Sequence, residues 1–168
     1  MKKILFIILL ILFSIIALRL LFPPDFEKVR DKLTSKEYAY ATKEDWKTTY
    51  KKDVAFDQQN KITFPQAKPA RAELYSGYLN LSRELDSEDI KKVIKILNDS
   101  SSYEWGEIGT FEPNKRILFY DNNGQIIGIT EIDWAKLQTY SAPMNRTMKW
   151  GLLSYSGRDK LFRIIDKY

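Results

Sequence analysis

Apolar positions along this chain fall into three different rhythms. The first is a block: from Ile4 to Phe22 the run is broken only by Ser14 and Arg19, with Lys2 and Lys3 in front of it and Pro23-Pro24 behind. At about 1.5 Å per residue those 19 residues reach roughly 28 Å, close to the hydrocarbon thickness of a bilayer. The block predicts a transmembrane helix with Ile4 and Phe22 at its limits. Arg19 lies near one end, where its long stem reaches the headgroups. The two prolines stop the helix.

The second rhythm is helical. Phe26, Val29 and Leu33 predict a short amphipathic helix within residues 25–37. Ile90, Val93, Ile94 and Leu97 recur at i, i+3, i+4, i+7 behind Asp86 or Ser87 as cap, with Lys91, Lys92 and Lys95 on the opposite side. That lysine row has the makings of a contact for lipid phosphates or an acidic partner, and equally of a plain solvated face. Leu161, Phe162, Ile164 and Ile165 predict a last helix, opened by Ser156 with Asp159 in a capping-box-like relation.

The third rhythm is strand-like. Residues 71–83 predict one strand, and 103–111 another carrying Trp105, Ile108 and Phe111. Residues 116–120 and 125–130 flank Asp121-Asn122-Asn123-Gly124, whose Asn-Gly step supplies the backbone a tight hairpin turn needs. Residues 136–141 and 146–152 predict two further strands around Pro143. Between the first amphipathic helix and the strands, residues 38–70 are polar with scattered aromatics, Pro65 and Pro69, and suit a long loop. The chain thus divides into a transmembrane signal anchor (1–22), a juxtamembrane helix and extended linker (23–70), and an α+β domain (71–168) whose antiparallel sheet packs against two helices.

Two alternatives bear on the leading block. A cleaved signal peptide needs small residues before the cut, and Ile15-Ile16-Ala17 is the one candidate; the apolar run continues past it, which favours an uncleaved anchor. Lys2 and Lys3 favour a cytoplasmic start, although Lys28, Arg30, Lys32 and Lys36 follow closely on the other side. A short basic start followed at once by an apolar run resembles an export signal. The expected location is the bacterial cytoplasmic (inner) membrane, single-pass, with the domain in the periplasm.

Charge changes little. The net value of +5 shrinks once Lys2, Lys3 and Arg19 are assigned to the anchor: 24 of the 27 basic residues remain against 22 acidic ones. No concentrated basic face demands nucleic acid. The absence of histidine and cysteine matters more. It removes Ser-His-Asp and Cys-His chemistry and ordinary zinc sites, so no metal or cofactor is expected. No glycine-rich phosphate loop is present. The acid-base candidates left are carboxylate pairs: Glu131 with Asp133, two apart on a strand, and Glu104 with Glu107, which flank Trp105. Serine–lysine spacings at Ser87/Lys91 and Ser156/Lys160 are accounted for by helix capping.

The strings ILNDSSSYEWGEIGTFEP (from Ile96), ILFYDNNGQIIGITEID (from Ile117) and KWGLLS (from Lys149), with the terminal amphipathic helix, resemble small uncharacterised domains of flavobacteria-type bacteria. Some of those look like immunity proteins, which neutralise a toxin by binding it. The resemblance implies a binding role and carries no site residues over. The expectation is a non-catalytic protein-interaction module, either an accessory subunit of an envelope complex or an immunity-type inhibitor. Its partners are the lipid bilayer, through residues 4–22, and another envelope or membrane protein, with Trp105, Trp134, Tyr140 and Trp150 as anchor residues for the latter. The alternative is a histidine-free cell-envelope hydrolase working through a carboxylate pair.

Overall fold

A computed structural model describes residues 2–21, 24–34, 50–77, 81–104 and 109–168. Side chains are described throughout these except at Lys2, Lys3, Arg19, Leu20, Leu21, Tyr50, Lys149 and Trp150. The α+β class and the antiparallel sheet agree with the sequence expectation. Helices α1 (Lys2–Leu21), α2 (Phe26–Thr34) and α3 (Tyr50–Asn60) precede strands β1 (Arg71–Ser76) and β2 (Leu81–Glu84). Then come α4 (Ser87–Asn98), β3 (Lys115–Tyr120), β4 (Ile126–Asp133), β5 (Gln138–Ala142) and α5 (Tyr155–Ile165). The five strands form one sheet in the order β2-β1-β3-β4-β5, with every pairing antiparallel.

Strand alternation sends side chains to two faces, and here both faces are covered. Ala72, Leu74, Ile117, Phe119 and Ile132 meet Val93 and Leu97 of α4 and Leu161 and Ile165 of α5 in the main core. Tyr75, Leu118, Tyr120, Ile129 and Ala142 face the other way and are met by Phe26 and Leu33 of α2. This explains why Ile117 to Tyr120 is an unbroken buried run rather than an alternating one. Helix α2, read from sequence as a juxtamembrane element, is therefore a third layer of the domain. Asp25 starts it, its carboxylate accepting the Lys28 N–H at 2.9 Å.

Four local expectations differ from the structure, each for a tertiary or turn reason. Residues 71–83 are not one strand: Gly77, at φ 74°, turns the chain so that β2 folds back on β1. Residues 50–60, read as part of a long loop, form α3. Residues 147–150 form a 3₁₀ turn instead of a strand. Its donors are taken by Asp57 of α3, which accepts the Thr147 N–H at 2.7 Å, and by Asn145, which accepts the Met148 N–H at 2.9 Å. The fourth is the expected strand over 103–111, which shrinks to a bridge between Tyr103 and Leu153; residues 105–108 lie outside the described residues. The last helix also starts earlier than its periodicity suggests. Ser154, not Ser156, caps it, accepting the Gly157 N–H at 3.1 Å. The hairpin at residues 121–124 forms as expected, with Asp121 accepting the N–H groups of Asn123 and Gln125 at 2.8 Å each.

Candidate functional site

On β4, alternation does place Glu131 and Asp133 on one face, the face that α2 covers. Both are only 2% exposed. Glu131 accepts from Arg30 of α2 through one oxygen and from Arg116 of β3 through the other, each at 3.1 Å. Asp133 accepts the N–H groups of Glu112 at 2.9 Å and Lys136 at 3.1 Å, with the Lys136 ammonium 3.7 Å away. Both oxygens of Glu131 are thus held by cations, and its side chain is almost wholly buried among the described residues. The carboxylate's work is to bolt α2 to the sheet. Glu104 is exposed and joins the fold through its backbone, donating its N–H to Leu152 at 3.0 Å; Glu107 and Trp105 lie outside the described residues.

A second polar cluster on that face was missed in the sequence. Glu73 accepts from the Tyr75 hydroxyl at 2.6 Å, the Tyr120 hydroxyl at 2.8 Å and Arg71 at 2.5 Å. The Arg71 guanidinium also lies 3.8 Å over the Tyr120 ring. Burial pushes the Glu73 carboxyl up, but the two hydroxyls and the guanidinium outweigh it, so it sits below its ordinary value. Burial, reinforced by Glu73, pushes both phenols up. Phenols held protonated and donating to a carboxylate form a hydrogen-bond lock; a nucleophilic tyrosine needs the opposite shift. The legible signal was the i, i+2 series Arg71, Glu73, Tyr75 on one strand face.

A concave feature outside the sheet lies between α4 and α5. It is a groove of about 510 Å³ with Lys92 and Lys95 on one wall and Lys160, Arg163 and Lys167 on the other. Ile96 and Ile164 line its base and Asp99 sits at its rim. The lysine row of α4 was legible from sequence. What was not legible is that α5 and the turn that follows it bring a second cationic row, spaced i, i+3, i+7, to face it. Asp89 takes up Lys167 at 2.9 Å and Lys92 at 3.4 Å. Asp99 is held below its ordinary value, first by the Ser101 hydroxyl, against burial, and further by the charges of Lys160 and Lys95.

Of the aromatic residues expected to meet a partner, Trp134 is half-buried, stacked on Phe162 of α5 with ring centres 3.3 Å apart and with the Lys115 ammonium 4.8 Å over its ring. Tyr140 is half-buried beside α2, its hydroxyl 3.5 Å from that of Thr34. The side chain of Trp150, like those of the expected anchor residues Lys2, Lys3, Arg19 and Phe22, lies outside the described set.

Helix α1 is 20 residues long, and its described large apolar side chains, Ile4 to Leu18, are all 46–72% exposed. Within the described residues no helix is long and apolar enough to cross a membrane; the described side chains of α1 stop at Leu18, short of the helix end. No group of three or more acidic side chains placed to hold a metal occurs among the described residues. No protein family, curated protein or solved structure matches this chain.

Proposed function

We propose that the protein is a membrane-tethered, non-catalytic interaction module. In this reading α1 crosses the cytoplasmic membrane once and the three-layer domain binds another envelope or membrane protein on the periplasmic side, as an accessory subunit or an immunity-type inhibitor. The observation that carries it is the exposure of α1. Each Leu, Ile or Phe left in water forgoes about 1.5–3 kcal/mol of burial, so a helix with this many requires lipid or protein around it. Tethering confines the domain to a thin layer and raises its effective concentration for partners there. The state of the carboxylates supports binding over hydrolysis: Glu131 and Asp133 are buried in ion pairs, and Glu73 is locked by tyrosines.

The test is alkaline carbonate extraction of membranes from cells making the full chain, with alkaline phosphatase fused after Tyr168. The fusion is expected to stay in the pellet and to be active. A carbonate-soluble product, a mature chain starting after Ala17, or an inactive fusion overturns the corresponding part of the proposal. In-cell crosslinking followed by capture is expected to yield a stoichiometric partner.

A further inference from the structure

We propose that the α4–α5 groove is the docking site for an acidic segment of a partner protein, with one apolar side chain of that segment seated on Ile96 and Ile164 and flanking carboxylates paired with Lys95, Lys160 and Arg163. This rests on the interaction-module reading above and specifies the partner's chemistry.

The charge arrangement is the first support. A lysine row on a single helix is ordinary solvated surface, but here two antiparallel helices present their cationic rows to each other across one depression. Five cations converge there, against Asp89 and Asp99. Asp89 is occupied by Lys167 and Lys92, and Asp99 accepts from the Ser101 hydroxyl at 2.7 Å. Lys95, Lys160 and Arg163 are exposed and form no ion pair within 4.0 Å among the described residues. Packing α4 against α5 brings like charges together, and an anionic occupant relieves that repulsion.

The base of the groove narrows the kind of anion. Ile96 and Ile164 are 7% and 5% exposed, so they sit below the lysine tips. A flat bilayer surface meets the tips and leaves those two residues untouched. A lone phosphate gains nothing from an apolar base. The volume is also many times that of one phosphate and suits a short side-chain sequence. An acidic segment with an embedded Leu, Ile or Phe satisfies both halves of the site: the apolar residue is the anchor and the carboxylates set its register.

The probe is a fluorescein-labelled peptide, one leucine flanked on each side by four glutamates, titrated by anisotropy against the full chain in zwitterionic detergent. Saturable binding is expected at low salt, weakening about tenfold at roughly 0.5 M salt as screening shortens the reach of the charges. Lys95→Glu with Lys160→Glu is expected to weaken it by about tenfold or more. Lys28→Glu with Lys32→Glu on α2, which covers the sheet face opposite α4 and α5, makes the same change in net charge away from the groove and is expected to leave binding unaltered. Replacing the peptide's leucine by serine is expected to cost about fivefold. The neutral pair Lys95→Gln with Lys160→Gln, checked by circular dichroism, separates loss of the site from loss of the fold and is expected to give a smaller weakening in the same direction. Equal weakening by both charge reversals, indifference to the leucine, or no binding at all overturns the proposal. So does displacement by millimolar inorganic phosphate, or groove-dependent binding to phosphatidylglycerol vesicles, which would reassign the site to a free or lipid phosphate. Carbonate extraction reads the anchor alone, so a failure here leaves that result standing, and the reverse holds too.

Discussion

Glu131 carries the attachment of α2 to the sheet, because Arg30 and Arg116 converge on it from two elements. Both guanidiniums keep partial contact with water, at 29% and 21% exposure, while the carboxylate has almost none. Glu131→Gln keeps the shape but leaves two cations facing a neutral amide. A fully buried pair broken in this way costs about 3–5 kcal/mol; the water available to the arginines reduces this to about 2 kcal/mol. The measurement is a urea unfolding midpoint, and an unchanged midpoint would contradict this role. Glu73 adds a pH dependence. Its carboxyl titrates lower in the fold than in the unfolded chain, so its stabilisation is complete above the unfolded value of about 4.3 and is lost as pH falls through the folded one. Asp89, lowered chiefly by its bond from Lys167, acts in the same sense. Asp57 acts oppositely: burial raises it despite the bonds from Thr147, so its ionisation costs stability as pH rises through its folded value. Stability is expected to fall below about pH 4.5, and Glu73→Gln is expected to make that fall shallower. Equal slopes for the two proteins would refute the assignment. The pairing of Glu131 with Arg30 spans 101 residues of chain, and local pattern carries no trace of it.

Among the elements, α5 depends on a close approach at its first turn. A Cβ on Gly157 would lie 2.3 Å from the carbonyl oxygen of Ser102, a backbone atom that has no rotamer by which to yield. The Ser154 N–H also bonds that oxygen, at 3.0 Å. Gly157→Ala therefore forces α5 away from the 3₁₀ turn at Ser100–Ser102. The expected cost is about 2–3 kcal/mol, seen as a lowered thermal midpoint, and it exceeds any gain from alanine's helix propensity of roughly 1 kcal/mol. A neutral or stabilising result would show that the turn moves freely. From sequence, Ser156 was the plausible cap for this helix; Ser154 takes the role because the bond from Gly157 and the bond to the Ser101 carbonyl at 2.9 Å are made together there. Helix α3 was illegible for a related reason. Its apolar pattern is weak, and it is held by Asp57 reaching residues 146 and 147, some 90 positions along the chain.

Across the whole molecule there are two contrasting parts: a layered domain with both sheet faces covered, and α1 with its apolar surface uncovered. The proposed membrane role belongs to this scale. A charge at the middle of α1 opposes insertion by about 2.5–3.5 kcal/mol on translocon scales. Leu10→Arg is expected to shift much of the chain from the carbonate-resistant pellet to the soluble or degraded fraction, whereas the same substitution at exposed Leu81 in the domain leaves the distribution unaltered. Retention of the Leu10→Arg chain in the pellet would sink the membrane-spanning assignment of α1.

The sequence by itself determined the features whose causes are local: the apolar run of α1, the stripe and lysine row of α4, the β3–β4 hairpin around Asp121, and the α+β class that follows from them. Each needs only a repeat of a few residues or one turn. Tertiary structure alone decided that α2 lies on the sheet, that α3 is clamped by the loop it caps, that Glu131 and Glu73 are locked instead of reactive, and that two helices 60-odd positions apart align their cations along one groove. Those outcomes rest on contacts between distant stretches of chain, where burial and charge pairing act on residues that a local pattern never sets side by side.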